Sequence, residues 1–553
     1  MISTRLGHGV LRQILRPGER RFRARQHNLE TAQRDRLARI LRQVSAVRDQ
    51  QALWHGGWRW EDFASTEPVT SYAHWRDPVS DQISTGRQRL TSSPTRRYQP
   101  TSGSSSAIKW IPYTRQFLQE LDGAIAPWMS DLYRQFPGIA RGKQYWSLSW
   151  LPSSMRQQGS DHLNDDMKLL STGKRLLMGQ TQAVPEGVAL APTSDDAMFA
   201  TVACLAATPD LAVISVWSPT FALGLLSNLG RWREELAEVL RTGSWGRRRH
   251  ALNHLETPQN PHAAAQLTAW DGHSDPAFFR ELWPELALVS AWSTASAGPW
   301  ANELRRKLPQ AGFQGKALWA TEGVVTIPYG DQHVLAANSH FYEFEDAATG
   351  RIHPSWDLRD GQQVSPLITT GSGLLRYRLG DLVEVTGHMG QLPCLSFLGR
   401  SNTVDLVGEK IDAVTVQQWL DDTRWPGALQ PVTVLGAARG GYGNRPAYVL
   451  IVNLPDKEEP ASWFDQAREW ARSLDAWLCE SFHYRLARDL DQLEPARCVC
   501  IHSAHDRYLE ACKERGMIEG DIKVESLKHW PGALPTAFTA SPVTRKEEVA
   551  HEA

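Results

Sequence analysis

No apolar run in the 553-residue chain is long enough to span a bilayer as a helix. The most apolar region, residues 201–226, is interrupted by Pro209, Asp210 and Pro219. The arginine-rich N-terminus has no continuous apolar core of the kind a secretory signal carries. A helical extension is expected there, ahead of an organelle transit peptide. Cysteine is scarce. Of the six residues, Cys204, Cys394, Cys479, Cys498, Cys500 and Cys512, only Cys498 and Cys500 are close, and theirs is not a zinc spacing. Free thiols in a reducing, cytoplasmic setting are the expectation. An excess of charge of one sign is also lacking: 60 Lys and Arg against 61 Asp and Glu leave a net charge of −1. That removes any overall pull toward nucleic acid or an anionic membrane, and neither is expected as a partner. The chain has no Walker A sequence and no internal repeat of fixed period.

What is present fits a large soluble protein of more than one domain: 41% hydrophobic and 22% charged residues. Tryptophan is abundant, with 23 residues, which suits flat pocket walls as well as core. One stretch is chemically distinctive. Pro100-Thr-Ser-Gly-Ser-Ser-Ser-Ala-Ile-Lys109-Trp-Ile-Pro112 gathers small hydroxyl residues around one glycine and ends in a lysine. Gly103 permits a tight turn, so the N–H groups and hydroxyls of Ser102, Ser104, Ser105 and Ser106 can converge on an anion. Lys109 can reach a bound phosphate as a point charge. A flexible Ser-rich linker is the competing reading of the same run.

Periodicity predicts an apolar helical stripe over residues 22–48 (Phe22, Leu29, Leu37, Ile40, Leu41 and Val44) and an amphipathic helix over 116–126, ended by Pro127. The apolar runs 211–217 and 286–292 read as strands buried on both faces of a parallel sheet, and 316–320 as a third. A long helix is expected over 221–240, and a surface loop over 256–275. Strand, small-residue turn and helix recur, which indicates an α/β fold with its site at the strand ends. From Asn338 the pattern becomes β-rich, and after Gly399-Arg-Ser-Asn402 strands alternate with helices. Two domains are therefore expected, 1–400 and a smaller α+β domain, 401–553.

Four later stretches complete the pattern: Ala320-Thr-Glu-Gly323, Tyr377-Arg-Leu-Gly-Asp381, Gly399-Arg-Ser-Asn402 leading to Gly408-Glu-Lys-Ile411, and Gly520-Asp-Ile-Lys523. Singly, each is a turn or a surface lysine in many proteins. In this order, with the Ser-rich loop, they resemble the adenylate-forming ligase superfamily. Within it they resemble the Gretchen Hagen family of acyl-acid amido synthetases, the auxin-responsive proteins of plants. Leu282-Trp-Pro284 and Pro68-Val-Thr-Ser-Tyr72 are similar to family stretches too.

The resemblance implies a large adenylate-forming domain of β-sheets flanked by helices and a smaller mobile C-terminal domain. It implies ATP and Mg²⁺, with the serines of the loop, Gly103 and Lys109 around the phosphates. Thr321 would meet the α-phosphate and Glu322 the metal. Asp381 would accept from the ribose hydroxyls. Arg400 or Lys410 would touch the nucleotide from the hinge, and Lys523 would enter from the mobile domain as a catalytic group beside Lys109 and Glu322. Where the family has Gly-Tyr-Phe-Glu-Phe, this chain has His340-Phe-Tyr-Glu-Phe344, so the aromatic beside the nucleotide is expected to be Phe341, or Tyr342 if the strand shifts. The implied reaction is activation of a carboxylic acid as acyl-AMP with release of pyrophosphate, followed by transfer to an amino acid or amine. Two alternatives stand beside it: a thioester ligase using coenzyme A or a carrier protein, and a non-catalytic nucleotide-binding homologue. Trp217, Trp292, Trp319 and Phe221 fall near predicted strand ends, where they can line an aromatic acid pocket or pack as core.

Overall fold

The computed structural model describes residues 2–47, 59–101, 109–147, 181–294, 297–407, 409, 411–427, 429–439, 445–455, 458–489, 492–515, 517, 522–535 and 538, save Ser401 and Asn402. It divides into two compact units, Met1–Thr294 with Trp300–Phe397, and Leu398–Ala553 with Ala295–Pro299. The mixed α/β architecture expected from the sequence is present.

The larger unit opens with helices α1 (Ile2–Arg25), α2 (Leu29–Ser45), α3 (Trp60–Thr66) and α4 (Tyr72–Thr85). All six residues of the predicted stripe are buried, but Phe22 closes α1 while the other five belong to α2. Strands β1 (Thr95–Thr101) and β2 (Lys109–Thr114) pair antiparallel. Helix α5 (Arg115–Gln135) follows at once, because the Thr114 side chain caps it by accepting from the Phe117 N–H at 3.1 Å. The expected stop at Pro127 does not occur. Proline removes one helical hydrogen bond, yet Trp128, Met129, Leu132 and Tyr133 beyond it are all buried, and that packing carries the helix through.

A four-stranded parallel sheet runs in order β3 (Lys143–Trp146), β4 (Leu211–Ser215), β5 (Leu288–Ala291), β6 (Gly312–Gly315). The two apolar runs are its central strands, every residue buried. The third run, 316–320, is not the sheet's fourth strand: β6 ends at Gly315 just ahead of it, and only Trp319–Ala320 within it is extended, in a separate short hairpin. Residues 221–240 form two helices, Pro219–Arg231 and Arg233–Thr242, broken at Trp232. Residues 256–275 contain a helix, Pro261–Ala269, whose Asn260 cap and Pro261 start are helix signals as well as loop signals.

Next come the short strands β7 (Trp319–Ala320) and β8 (Gly323–Val324). An antiparallel sheet follows, built from β9 (Thr326–Tyr329), β10 (Gln332–Leu335), β11 (Phe341–Asp346), β12 (Ile352–Pro354), β13 (Gln363–Thr369), β14 (Tyr377–Arg378), β15 (Asp381–Met389) and β16 (Leu392–Arg400). Its order is β12-β11-β13-β15-β16-β10-β9, with β14 on β13.

The smaller unit opens with a short antiparallel pair, β17 (Thr403–Val404) and β18 (Ile411–Asp412), and has its own sheet, β21 (Arg497–His502), β20 (Ala447–Leu454), β19 (Gln430–Arg439) and β22 (Leu527–Ala533), in that spatial order. One core lies on each face, one around Trp470 and Tyr484, the other around Tyr508 and Trp530. Among the described residues no helix is long and apolar enough to cross a membrane, and no His, Cys, Asp and Glu cluster has the geometry of a metal site.

Candidate functional site

Thr321 and Glu322 form the turn of a two-residue hairpin, with Ala320 paired to Gly323 and Trp319 to Val324. Both are only partly buried. Three tyrosine hydroxyls pin this hairpin. Tyr113, on β2, donates to the Thr321 carbonyl at 3.0 Å. Tyr377, on β14, donates to Glu322 Oε1 at 3.0 Å. Tyr342, on β11, donates to the Val324 carbonyl at 2.8 Å, with the Ala336 carbonyl at 3.1 Å. A carboxylate held through one oxygen keeps its other oxygen for further partners.

Lys109 opens β2, and its ammonium stands 5.9 Å from the centre of the Tyr72 ring. The Tyr72 hydroxyl accepts from the Trp110 N–H at 2.7 Å. Burial, and then the nearby Glu322 carboxylate, push the Tyr72 phenol above its ordinary pKa, with the Trp110 N–H and Arg76 opposing. The stretch Pro68–Tyr72 reaches this place by pairing with the β14 edge: Thr70 donates to the Arg376 carbonyl, and the Arg378 N–H donates to Thr70, each at 2.9 Å. Lys109, Tyr72, Glu322 and Tyr377 thus form one neighbourhood from four separate stretches. Asp381 begins β15 and is buried at 3% exposure. Gly380 precedes it with φ +78°, a left-handed turn that a side chain resists.

Behind the hairpin lies a buried pair that sequence reading missed. His340 Nδ1 is 2.8 Å from Glu120 Oε2, and both side chains have zero exposure. Glu120 also accepts from Gln116 Nε2 at 3.0 Å and from the Gly371 N–H at 2.8 Å. Burial alone would raise the Glu120 pKa, but His340, Arg36 and the Gly371 N–H more than offset it and hold the carboxylate below its ordinary range. Burial lowers the His340 pKa, against the pull of Glu120. The pair is therefore an ionised carboxylate with a neutral imidazole donating from Nδ1. Nε2 has no hydrogen-bond partner among the described residues. It faces Gly323, where an added Cβ would come within 2.8 Å of it. No local signal marks this pair beyond a histidine and a glutamate at apolar positions.

The structure corrects one expectation. Neither Phe341 nor Tyr342 offers a ring face to a ligand, since both are completely buried. Phe341 packs edge-on against Phe63 and Trp356, and the Tyr342 hydroxyl is spent on backbone carbonyls. The reason is that β11 lies inside its sheet, between β12 and β13, and all of Phe341–Phe344 is buried. Ser102, Gly103, Ser104, Ser105, Ser106 and Lys410 lie outside the described residues. Arg400 ends β16. Lys523 is a partly buried residue of the smaller unit, just before β22.

Two domain families match this chain: the GH3 family N-terminal domain over residues 18–312, and the GH3 family central domain over 333–400. The chain belongs to the GH3 family. The pinned hairpin sits in the interval between the two GH3 matches. Similar curated GH3 proteins include the indole-3-acetic acid-amido synthetase GH3.15 of Arabidopsis thaliana, 21% identical over 382 residues, covering 62% of this chain and 63% of that one. The 4-substituted benzoates-glutamate ligase GH3.12 of the same plant is 23% identical over 373 residues, covering 62% and 64%. The match thus spans a little under two thirds of the length of these curated relatives. Among solved structures, a GH3.15 acyl acid amido synthetase superposes with a TM-score of 0.73 at 18% identity, covering 94% of this chain and 95% of that one. The AtGH3.15 complex with 2,4-DB gives 0.76 at 17% identity, covering 95% and 96%. At these identities the likeness establishes the fold.

Proposed function

We propose that this chain is an ATP-dependent acyl-acid amido synthetase of the cytoplasm. It activates a carboxylic acid as acyl-AMP with release of pyrophosphate, then transfers the acyl group to an amino acid or amine. The observation that carries this reading is the Thr321–Glu322 turn, pinned by tyrosines and brought beside Lys109 in a GH3 chain.

A carboxylate is a poor acyl donor because its leaving group is oxide. Attack on the α-phosphorus of ATP converts it to a mixed anhydride. The barrier is charge crowding, so the protein must place donors where charge develops and must fix the reactants. Lys109, with Ser102, Gly103, Ser104, Ser105 and Ser106, cradles the phosphates, and Thr321 contacts the α-phosphate. Asp381 takes the ribose hydroxyls and orients the nucleotide. Its burial holds that carboxylate in one place. Glu322 fits Mg²⁺, because a partly exposed carboxylate bonded through one oxygen is a hard ligand with acceptor capacity to spare. Mg²⁺, when bound, neutralises phosphate charge. The smaller unit supplies Lys523, with Arg400 or Lys410 at the hinge, and serves as a mobile domain, 401–553.

The deciding experiment is ATP–pyrophosphate exchange over a panel of carboxylic acids, followed by acceptor tests with amino acids and with coenzyme A. Exchange with at least one acid, and an amide product by mass spectrometry, are expected. Thioester product alone, or no exchange with any acid, overturns the reading.

A further inference from the structure

Helix α1 has two faces of different chemistry. Its inner face is core: Leu11, Leu15 and Phe22 are all buried. His8 fixes that face, with Nδ1 2.7 Å from the Tyr133 hydroxyl and Nε2 2.9 Å from the Gly142 carbonyl. Packing does not account for the outer face. Leu6, Val10 and Ile14 are 64%, 47% and 42% exposed there. Six large hydrophobic side chains are exposed among the described residues, and half of them are these three. They recur every four residues, so they form one row about 12 Å long. A lone exposed leucine is ordinary, but a contiguous apolar row marks a contact surface.

A second row runs beside the first. Arg5, Arg12 and Arg16 are exposed and share the neighbouring side of the helix. Arg16 donates to the neutral Gln13 side chain, and Arg12 stands over the Tyr133 ring at 5.9 Å. Among the described residues none of the three has an ion-pair partner. α1 carries seven arginines, and its one acid, Glu19, is taken by Arg23 at 2.7 Å and by Arg134 at 3.3 Å. The net charge of the whole chain is −1, so α1 is strongly basic while the remainder is net acidic.

An occupant of this face must satisfy both rows at once. A nucleic acid or an acidic peptide takes the arginines and leaves the aliphatic row in water. A second copy of the chain covers the aliphatic row but brings arginine rows of like charge together. A surface of anionic phospholipid meets both needs: aliphatic side chains enter the headgroup boundary while guanidinium groups lie on lipid phosphates. The acidic remainder is repelled by the same surface, so α1 also sets the orientation.

We propose that the outer face of α1 docks the protein on an anionic membrane surface. The helix lies in the plane of the interface and does not cross it. A net charge near zero is no obstacle, because salt confines each headgroup's influence to charges within about 10 Å. The docking goes beyond the ligase reading and does not depend on it.

The test is co-sedimentation of the full chain with vesicles of phosphatidylcholine alone and of phosphatidylcholine mixed with phosphatidylglycerol, at low and high salt. Wild type is expected to bind the mixed vesicles at least about tenfold more tightly, and high salt should weaken that binding. Equal binding to both vesicles, or binding to neither, overturns the proposal. Two triple variants separate the rows. Leu6→Gln with Val10→Gln and Ile14→Gln keeps the charge, and Arg5→Gln with Arg12→Gln and Arg16→Gln keeps the aliphatic row. Each should weaken binding to the mixed vesicles by roughly tenfold or more. Both should unfold in urea near the wild-type midpoint, because the positions are exposed. Weakening by the arginine variant alone means adsorption by charge and overturns the docking of the aliphatic row. A wild-type dimer that the aliphatic variant turns into monomers, by sedimentation velocity, overturns the proposal too, because a second copy then covers that row. Should a triple variant not fold, Val10→Gln and Arg16→Gln are measured singly, each expected to weaken binding by about twofold or more. No change in either one overturns the proposal.

Discussion

Two buried polar centres of the larger unit are built from similar parts and do different things. In one, the Arg376 guanidinium pairs with Glu343 through two bonds of 3.0 Å. Arg376 also donates to the Ala64 and Glu67 carbonyls at 2.8 and 2.7 Å, and Glu343 accepts from Trp60 Nε1 at 2.8 Å. That centre ties the start of the chain to the β14 edge, even at the strained φ of +46° for Arg376. In the other, Glu120 is saturated but His340 keeps an unpartnered Nε2 against Gly323. The saturated centre is scaffold. The incompletely saturated one sits behind the hairpin that presents Thr321 and Glu322.

The sharpest way to break this comparison is Arg376→Met. It strands the Glu343 carboxylate in the core, and a cost of about 3–5 kcal/mol in unfolding free energy is expected from urea denaturation. The protein that remains folded should bind ATP as wild type does. A variant of near-normal stability would remove the distinction between scaffold and site.

Glu322→Gln is expected to do the opposite. It keeps shape and loses charge on a partly exposed turn, so stability should hardly move. Pyrophosphate exchange should fall by roughly 10²–10³. Exchange at wild-type rate with wild-type Mg²⁺ dependence rules Glu322 out as the metal ligand.

Gly323→Ala tests the seam between hairpin and buried pair. A methyl there would lie 2.8 Å from His340 Nε2 and 2.9 Å from Ile368 Cδ1, and the packed core gives way little. Overpacking of about 1–3 kcal/mol is expected. It should appear as lost exchange activity more than as lost stability, because the hairpin is the softer partner. An equal or greater loss of stability than of activity would mean that the hairpin is part of the rigid core.

The same contrast explains what could be read before the fold was known. The central strands β4 and β5 were legible because a strand buried on both faces writes itself as an unbroken apolar run. β3 was not, since Lys143-Gln-Tyr-Trp146 is short and half polar. The residues proposed for the site that a single stretch carries, Lys109, Thr321, Glu322 and Asp381, stand out through their motifs. Glu120 and His340 do not, because a pairing across 220 residues leaves no local periodicity. Phe341 and Tyr342 were misplaced for a related reason: an aromatic on a strand looks the same in sequence whether its strand is interior or faces a ligand.

The smallest effect expected is on the acid side of the stability profile. The folded protein holds His340 below its ordinary pKa by burial, so near pH 6 the unfolded chain takes up a proton that the folded chain refuses. The contribution is therefore fully present above the unfolded value of about 6.5 and is lost as pH falls below it. Glu120 shifts in the direction that costs stability only further down, below its reference value of 4.5, and Glu343, held up by burial, contributes equally to wild type and to a His340 variant, so the difference between the two in the window between pH 6.5 and 5 isolates His340. His8, His333 and His505 are held down by burial as well, His505 to about 4, so wild-type stability should fall across that window. His340→Gln can still donate to Glu120 but cannot titrate. Its loss of stability between pH 6.5 and 5 should be smaller than that of wild type by about 1 kcal/mol. A steeper loss in the variant would mean that His340 is charged in the folded protein, paired with Glu120 as a buried ion pair. The two polar centres would then be alike after all.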